Sequence, residues 1–330
     1  MHIKPNHRSL SWQGVISLQE TAAWTMPWRT PHAEHVLFPE PLLERSAMPA
    51  GVRISFSSDT TRVAGSIVPQ NDVGKLELCC DGERIDAIDL ADKDTFAFEE
   101  LASEMKLIEL WLPQYGIFQL RNLEIDDSAT LEPFTDERPR WITYGSSITQ
   151  CRLAASPTQT WPAIVARERG FNLTCLGYGG QCHLDAMVAR MIRDREADYI
   201  SMCLGINIQG AASLGPRAFR PAIIGAVQII REKHPDIPLV LMSPIYSPPR
   251  EEKPNAVGFH LPGMREEVQA AAAALQAHGD KQVHYVNGLD VFGADLAHLL
   301  PDDLHPDADG YRAMGQNFIA EVANKFFLGT

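Results

Sequence analysis

Five short apolar runs, at 141–144, 172–176, 199–204, 238–243 and 283–286, alternate with helical stretches at 158–169, 183–195, 216–233, 261–278 and 308–326. Short strands separated by helices cannot close as hairpins. They are joined by crossovers, lie parallel, and bury both faces of one sheet under helices. The second half of the chain is therefore expected to form an α/β, doubly wound, parallel five-stranded sheet.

The first 130 or so residues read differently. Short β-like runs recur with turns between them: G-V-R-I-S-F-S, R-V-A-G-S-I-V, K-L-E-L-C-C, E-R-I-D-A-I-D-L, K-L-I-E-L-W-L and F-Q-L-R-N-L-E-I. Val52, Ile54 and Phe56 alternate with polar neighbours, the period of a half-buried strand. Asp81-Gly82 separates two runs and is a hairpin signal, because both residues tolerate positive φ. Many short strands with almost no helical periodicity imply an all-β sandwich, jelly-roll-like. The proline- and charge-rich segment 126–140 reads as a linker, so the expected domains are an accessory sandwich at 1–135 and the α/β domain at 136–330.

Composition excludes some partners. The chain has 330 residues, 45% of them hydrophobic and 22% charged, with a net charge of −13. That balance is globular, and the negative total disfavours nucleic acid and anionic membranes, which reward clustered Lys and Arg. No apolar run approaches a membrane span. The N-terminus lacks a continuous apolar segment of secretory type. None of the six cysteines forms a C-x-x-C pair, so buried free thiols and a cytoplasmic location are expected.

In an open parallel sheet, ligands bind beyond the carboxyl ends of the strands. The residues found there are Gly145-Ser146-Ser147, Gly177-Tyr178-Gly179-Gly180, Gly205-Ile206-Asn207 and, after the fifth strand, Asp302-Asp303-Leu304-His305. Together they hold what acyl transfer requires: a hydroxyl on a turn into a helix, a histidine to take its proton, a carboxylate three residues earlier, and donors for an oxyanion. Serine also favours helix N-caps, and Ser146 competes with Ser147 for both roles.

The blocks G-S-S-I-T, L-G-Y-G-G, G-I-N-I and D-D-L-H-P, in this order, resemble those of the SGNH branch of the GDSL esterase/lipase family over about residues 139–326. The resemblance implies a flavodoxin-like SGNH hydrolase domain without metal or cofactor. It also implies Ser147 as nucleophile, with Asp302 and His305 completing a triad. The oxyanion donors would be the backbone of Ser147 and Gly180 and the side chain of Asn207. K-L-E-L-C-C-D-G resembles a strand–turn motif of the β-sandwich that precedes the hydrolase in one subgroup. The sequence departs from the family at Ser146, Cys175 and Ile208, where aspartate, asparagine and aspartate are usual.

Pocket-lining candidates are His183, Tyr178, Gln150 and His260, and the proline-rich loop 243–255 is a candidate wall without regular structure. Trp12, Trp24 and Trp28 are weighed as a sugar-stacking platform against ordinary core positions. The expected function is a serine esterase acting on small acyl esters, with O-acetyl groups of a carbohydrate as the first choice from the resemblance. The alternatives are a thioesterase or short-chain lipid esterase, and a catalytically silent carbohydrate-binding protein. Whether the chain forms a homo-oligomer stays open.

Overall fold

The computed structural model describes residues 1–327. Two compact units divide the chain: Met1–Arg138 together with Ala155–Thr158, and Pro139–Ala154 together with the chain from Gln159 onward.

In the first unit, one antiparallel sheet runs Ser17–Glu20, Thr25–Trp28, Leu120–Ile125, Val63–Ile67, Thr95–Phe98, with His2–Ile3 also on Leu120–Ile125. A second runs Glu132–Pro133, Arg53–Ser58, Lys106–Trp111, Lys75–Cys80, Glu83–Asp89, with Ser11–Gln13 also on Arg53–Ser58. Each of the six β-like runs is a strand, and Asp81 (φ 49°) and Gly82 (φ 80°) make the expected hairpin turn. Val52, Ile54, Phe56, Leu76, Leu78, Ile108 and Leu120 pack between the sheets in one core. Trp12 lies on the second sheet and Trp28 on the first, so these tryptophans do not share a sheet.

Along Arg53–Ser58, Lys75–Cys80 and Lys106–Trp111, alternation does not leave the other face in water. Arg53, Ser55, Glu77 and Glu109 are buried as well. Arg53 stacks over Trp111 at 5.1 Å and pairs with Glu109 at 3.4 Å and Asp136 at 3.3 Å. Arg138 reaches Glu109 at 3.1 Å and Asp136 at 2.6 Å. Buried charges persist only when paired. The pairing ties Asp136 and Arg138 into the first unit, so the division falls between Arg138 and Pro139 rather than after 135. Glu77 likewise accepts from Ser156 Oγ at 3.0 Å and Thr158 N–H at 2.8 Å, which draws Ala155–Thr158 into that unit.

The second unit is a parallel sheet in the order Asn172–Gly177, Arg140–Gly145, Tyr199–Cys203, Leu239–Met242, Val283–Val286. Numbered along the chain this is 2-1-3-4-5, the flavodoxin-like order, whose switch point lies at the end of the first strand. Trp141 on that strand packs against Phe318 (5.4 Å) and Trp161 (6.0 Å), locking the helices Trp161–Arg169 and Ala308–Phe318 to one face. Burying side chains of this size contributes roughly 1.5–3 kcal/mol each. The last helix continues with π-helical winding over Ile319–Phe327.

Two short helices depart from the expected pattern. Ile206–Ala211 begins directly after the third strand. The loop expected to be irregular contains Pro248–Glu252. Its prolines open the helix, where no N–H partner is needed and their fixed φ suits the first turn.

Candidate active site

The first strand ends at Gly145, and only glycine fits there, because a Cβ would lie 2.1 Å from Thr149 Oγ1. Ser146 then takes an extended conformation (φ −88°, ψ −160°) as N-cap of the helix Ser147–Gln150, its Oγ accepting from Ile148 N–H at 3.2 Å. Ser146 is buried, 2% exposed, and its hydroxyl is engaged in the cap. Ser147 is half-buried and occupies the first helical position, where its N–H has no intrahelical acceptor. Its Oγ lies 2.8 Å from His305 Nε2. The two serines therefore have different tasks despite being neighbours.

His305 is held on its other side. Its Nδ1 lies 2.6 Å from Asp302 Oδ2, and Asp302 Oδ1 accepts the backbone N–H of His305 at 2.7 Å and of Leu304 at 3.1 Å. Partial burial pushes the Asp302 carboxyl up, but the hydrogen bonds from the His305 side chain and backbone and from Leu304 outweigh it and hold it below the usual range. An ionised carboxylate only accepts, so Nδ1 carries the proton and Nε2 presents a lone pair to the Ser147 hydroxyl. Asp307, not Asp302, caps the last helix, accepting from Gly310 N–H at 2.8 Å.

The loop after the second strand hangs on the nucleophile turn. Tyr178 N–H donates to Gly145 C=O at 2.8 Å, and Gln181 N–H returns to Tyr178 C=O at 2.9 Å. Gly180 is left at φ +73° and exposed, the third residue of a turn whose geometry favours glycine there. Its N–H meets no acceptor among the described residues. Asn207 Oδ1 accepts from Cys182 N–H at 3.0 Å, which identifies the amide oxygen and fixes Nδ2 as the donor end. Gly205, at φ +116°, brings Asn207 there; a Cβ at 205 would lie 2.7 Å from Pro244 Cγ.

The four residues expected to line a pocket sit in different surroundings. Tyr178 is fully buried, its ring edge-on to Tyr144 at 6.3 Å, so it is a core residue beneath the loop and not a lining one. Gln150 is also buried, and its Oε1 accepts from Gly179 N–H at 2.9 Å. His183 is half-buried, with Nε2 2.9 Å from Gly180 O and Nδ1 2.8 Å from Ser213 Oγ. His260 caps the helix Leu261–Ala277, accepting from Gly263 N–H at 2.9 Å. A loop position read from sequence does not say which way a side chain turns.

One brace was not legible in the sequence. Ser247 Oγ donates to Asp303 C=O at 2.6 Å, and Arg250 Nη1 donates to that same Oγ at 3.0 Å. Arg265 donates to Pro244 O at 2.9 Å and Ile245 O at 3.1 Å, and reaches both oxygens of Glu251 at 2.7 Å. These partners lie on separate turns of the fold, so no local motif announces them. None of the six cysteines is in a disulfide. Burial pushes the Cys203 thiol up to about 12.

Residues 143–313 match the model of the GDSL-like lipase/acylhydrolase family. The chain belongs to that family. Residues 10–121 match the SsfX3 N-terminal domain, so this member carries the β-domain subgroup's architecture as well. Among solved structures, a salicylyl-acyltransferase, SsfX3, from a tetracycline biosynthetic pathway is 35% identical, with TM-score 0.92, covering 99% of this chain and 98% of that one. A GDSL-like lipase from Bacteroides ovatus is 20% identical (TM-score 0.81, covering 98% of this chain and 97% of that one). A family two carbohydrate esterase from Clostridium thermocellum is 14% identical (TM-score 0.68, 96% and 98%). The last two likenesses speak to fold alone. No curated protein matches by sequence.

Proposed function

We propose that this GDSL-family member is a serine esterase that cleaves small acyl esters through an acyl-enzyme on Ser147. The observation that carries the reading is the aligned series Ser147 Oγ, His305 Nε2, His305 Nδ1 and Asp302 Oδ2, at 2.8 and 2.6 Å. Serine alone is a weak nucleophile at neutral pH, and a neutral imidazole oriented by a carboxylate is what activates it.

Ser147 Oγ attacks the ester carbonyl carbon while its proton passes to His305 Nε2. The carbonyl oxygen becomes an oxyanion, for which the N–H groups of Ser147 and Gly180 and the Asn207 amide are the proposed donors. Asp302, ionised, stabilises the imidazolium. Collapse breaks the carbon–oxygen bond to the alcohol, which leaves with the proton from His305. Water then gives a proton to His305 as it attacks the acyl carbon; collapse breaks the carbon–Oγ bond, Ser147 Oγ takes that proton back from His305, and the acid leaves. No step calls on a metal or organic cofactor.

The substrate class proposed first is an O-acetylated sugar or similar small alcohol, a preference supported by the carbohydrate esterases that share the fold. A second reading has its own support. The 35% identical neighbour is named for acyl transfer rather than hydrolysis, and the same acyl-enzyme discharged by an alcohol instead of water would make this chain an acyltransferase. Turnover of p-nitrophenyl acetate by wild type and Ser147→Ala tests the common core: retained activity in the variant defeats the assignment. Adding an alcohol and measuring ester against free acid separates the two readings.

A further inference from the structure

We infer that Gln150 and His183 are positioning residues that aim the Gly180 N–H at the oxyanion, an inference that rests on the acyl-enzyme reading above. Three consecutive peptide groups form the turn after the second strand. The first, between Tyr178 and Gly179, is held by its N–H, which donates to Gln150 Oε1 at 2.9 Å. The third, between Gly180 and Gln181, is held by its carbonyl, 2.9 Å from His183 Nε2. The middle peptide carries the Gly180 N–H, and that N–H meets no acceptor among the described residues. It is free to bind a ligand atom, yet both neighbouring planes are clamped.

The two clamps have defined chemistry. A carbonyl oxygen only accepts, so His183 Nε2 carries the hydrogen, and Nδ1 shares a second hydrogen bond with the Ser213 hydroxyl at 2.8 Å. Gln150 sits three residues after Ser147 on the same short helix and is 4% exposed. Nucleophile and donor loop are thus joined by one side chain, and their spacing is set within the helix itself. The strand end permits this approach because Gly177 has no Cβ; one there would lie 2.4 Å from Gln150 N. The hydrogen bond from Gln181 N–H to Tyr178 C=O closes the turn, but with glycine at 179 and at 180 (φ +73°) the flanking planes can still tilt and carry the middle N–H off its aim unless the two clamps hold them. Preorganised donors are what gives an oxyanion hole its effect, since reorientation during the reaction would offset the gain.

The test compares Ser147→Ala, Gln150→Met, His183→Leu and His183→Gln with wild type. Gln150→Met keeps the length and removes the acceptor; His183→Gln restores an N–H near the Nε2 position, whereas leucine does not. Readouts are kcat and KM on p-nitrophenyl acetate, affinity for phenylboronic acid as a tetrahedral adduct of Ser147, and thermal melting. Gln150→Met and His183→Leu are expected to lower kcat on the order of 10- to 100-fold, part of the effect of losing a donor outright. KM should stay within a few-fold, boronate affinity should fall with kcat/KM, and His183→Gln should recover most of the loss. If Gln150→Met does not fold, the leucine and glutamine variants at 183 decide. If Ser147→Ala is inactive while the clamp variants keep kcat and boronate affinity, the inference is overturned and the esterase reading stands. Full activity in Ser147→Ala would overturn both.

Discussion

Asp302 accepts twice from the same residue, 2.6 Å from the ring Nδ1 of His305 and 2.7 Å from its backbone N–H. One carboxylate therefore fixes both the tautomer of the imidazole and the path of the chain that carries it. Asp302→Asn keeps the shape but can present an amide N–H to Nδ1, favouring the tautomer that cannot take the Ser147 proton. kcat should fall by about 10³- to 10⁴-fold, with KM within a few-fold, in steady-state assays on p-nitrophenyl acetate.

Ser146 and Ser147 should separate cleanly. Ser146→Ala removes an N-cap acceptor from Ile148 N–H and should lower stability by about 1 kcal/mol, read from urea unfolding. It should still react with a fluorophosphonate probe, and Ser147→Ala should not. Labelling of Ser147→Ala at Ser146 would show that the cap serine is the nucleophile.

Two glycines of the second loop should fail for different reasons. At Gly177 a Cβ meets backbone atoms, Gln150 N at 2.4 Å and Thr149 C at 2.6 Å. Gly177→Ala should then cost about 1–3 kcal/mol from overpacking. At Gly180 a Cβ meets nothing within 4 Å, but φ is +73°. Gly180→Ala should cost about 1–2 kcal/mol of backbone strain and lower kcat in a protein that still folds. Thermal melts and kinetics on the same preparations distinguish the two.

The buried network in the first unit makes a pH-dependent prediction. Burial pushes the Asp136 carboxyl up, but the hydrogen bond and charge of Arg138, with the charge of Arg53, bring it below its ordinary value. A depressed carboxylate stabilises the fold fully above its unfolded pKa of about 3.9 and loses that contribution as pH falls through the lower folded value. Asp136→Asn should destabilise by roughly 3 kcal/mol at pH 7. The gap from wild type should shrink below about pH 4, followed by denaturant unfolding across that range.

The fold was largely legible because its signals are local and periodic. Strand–helix alternation predicted the five parallel strands, and Asp81-Gly82 marked its hairpin. The burial of Arg53, Ser55 and Glu77 was not legible: period-2 alternation records residue polarity, whereas burial depends on what covers the second face. The helix Ile206–Ala211 escaped because it is short and its first turn overlaps a block read for chemistry.

At the site, the sequence by itself determined the chemical inventory. It placed a serine, a histidine, an aspartate three residues before it, and glycine and asparagine donors at successive strand ends. The resemblance already favoured Ser147 over Ser146; the tertiary structure supplied the physical difference, turning the Ser146 hydroxyl into the cap and the Ser147 hydroxyl toward His305. It also moved Tyr178 into the core and turned Gln150 and His183 toward the peptide planes beside Gly180. Those outcomes depend on side-chain direction and on contacts between residues as far as 158 positions apart. Such contacts form when strands pair in the order 2-1-3-4-5, and nothing in local spacing encodes them.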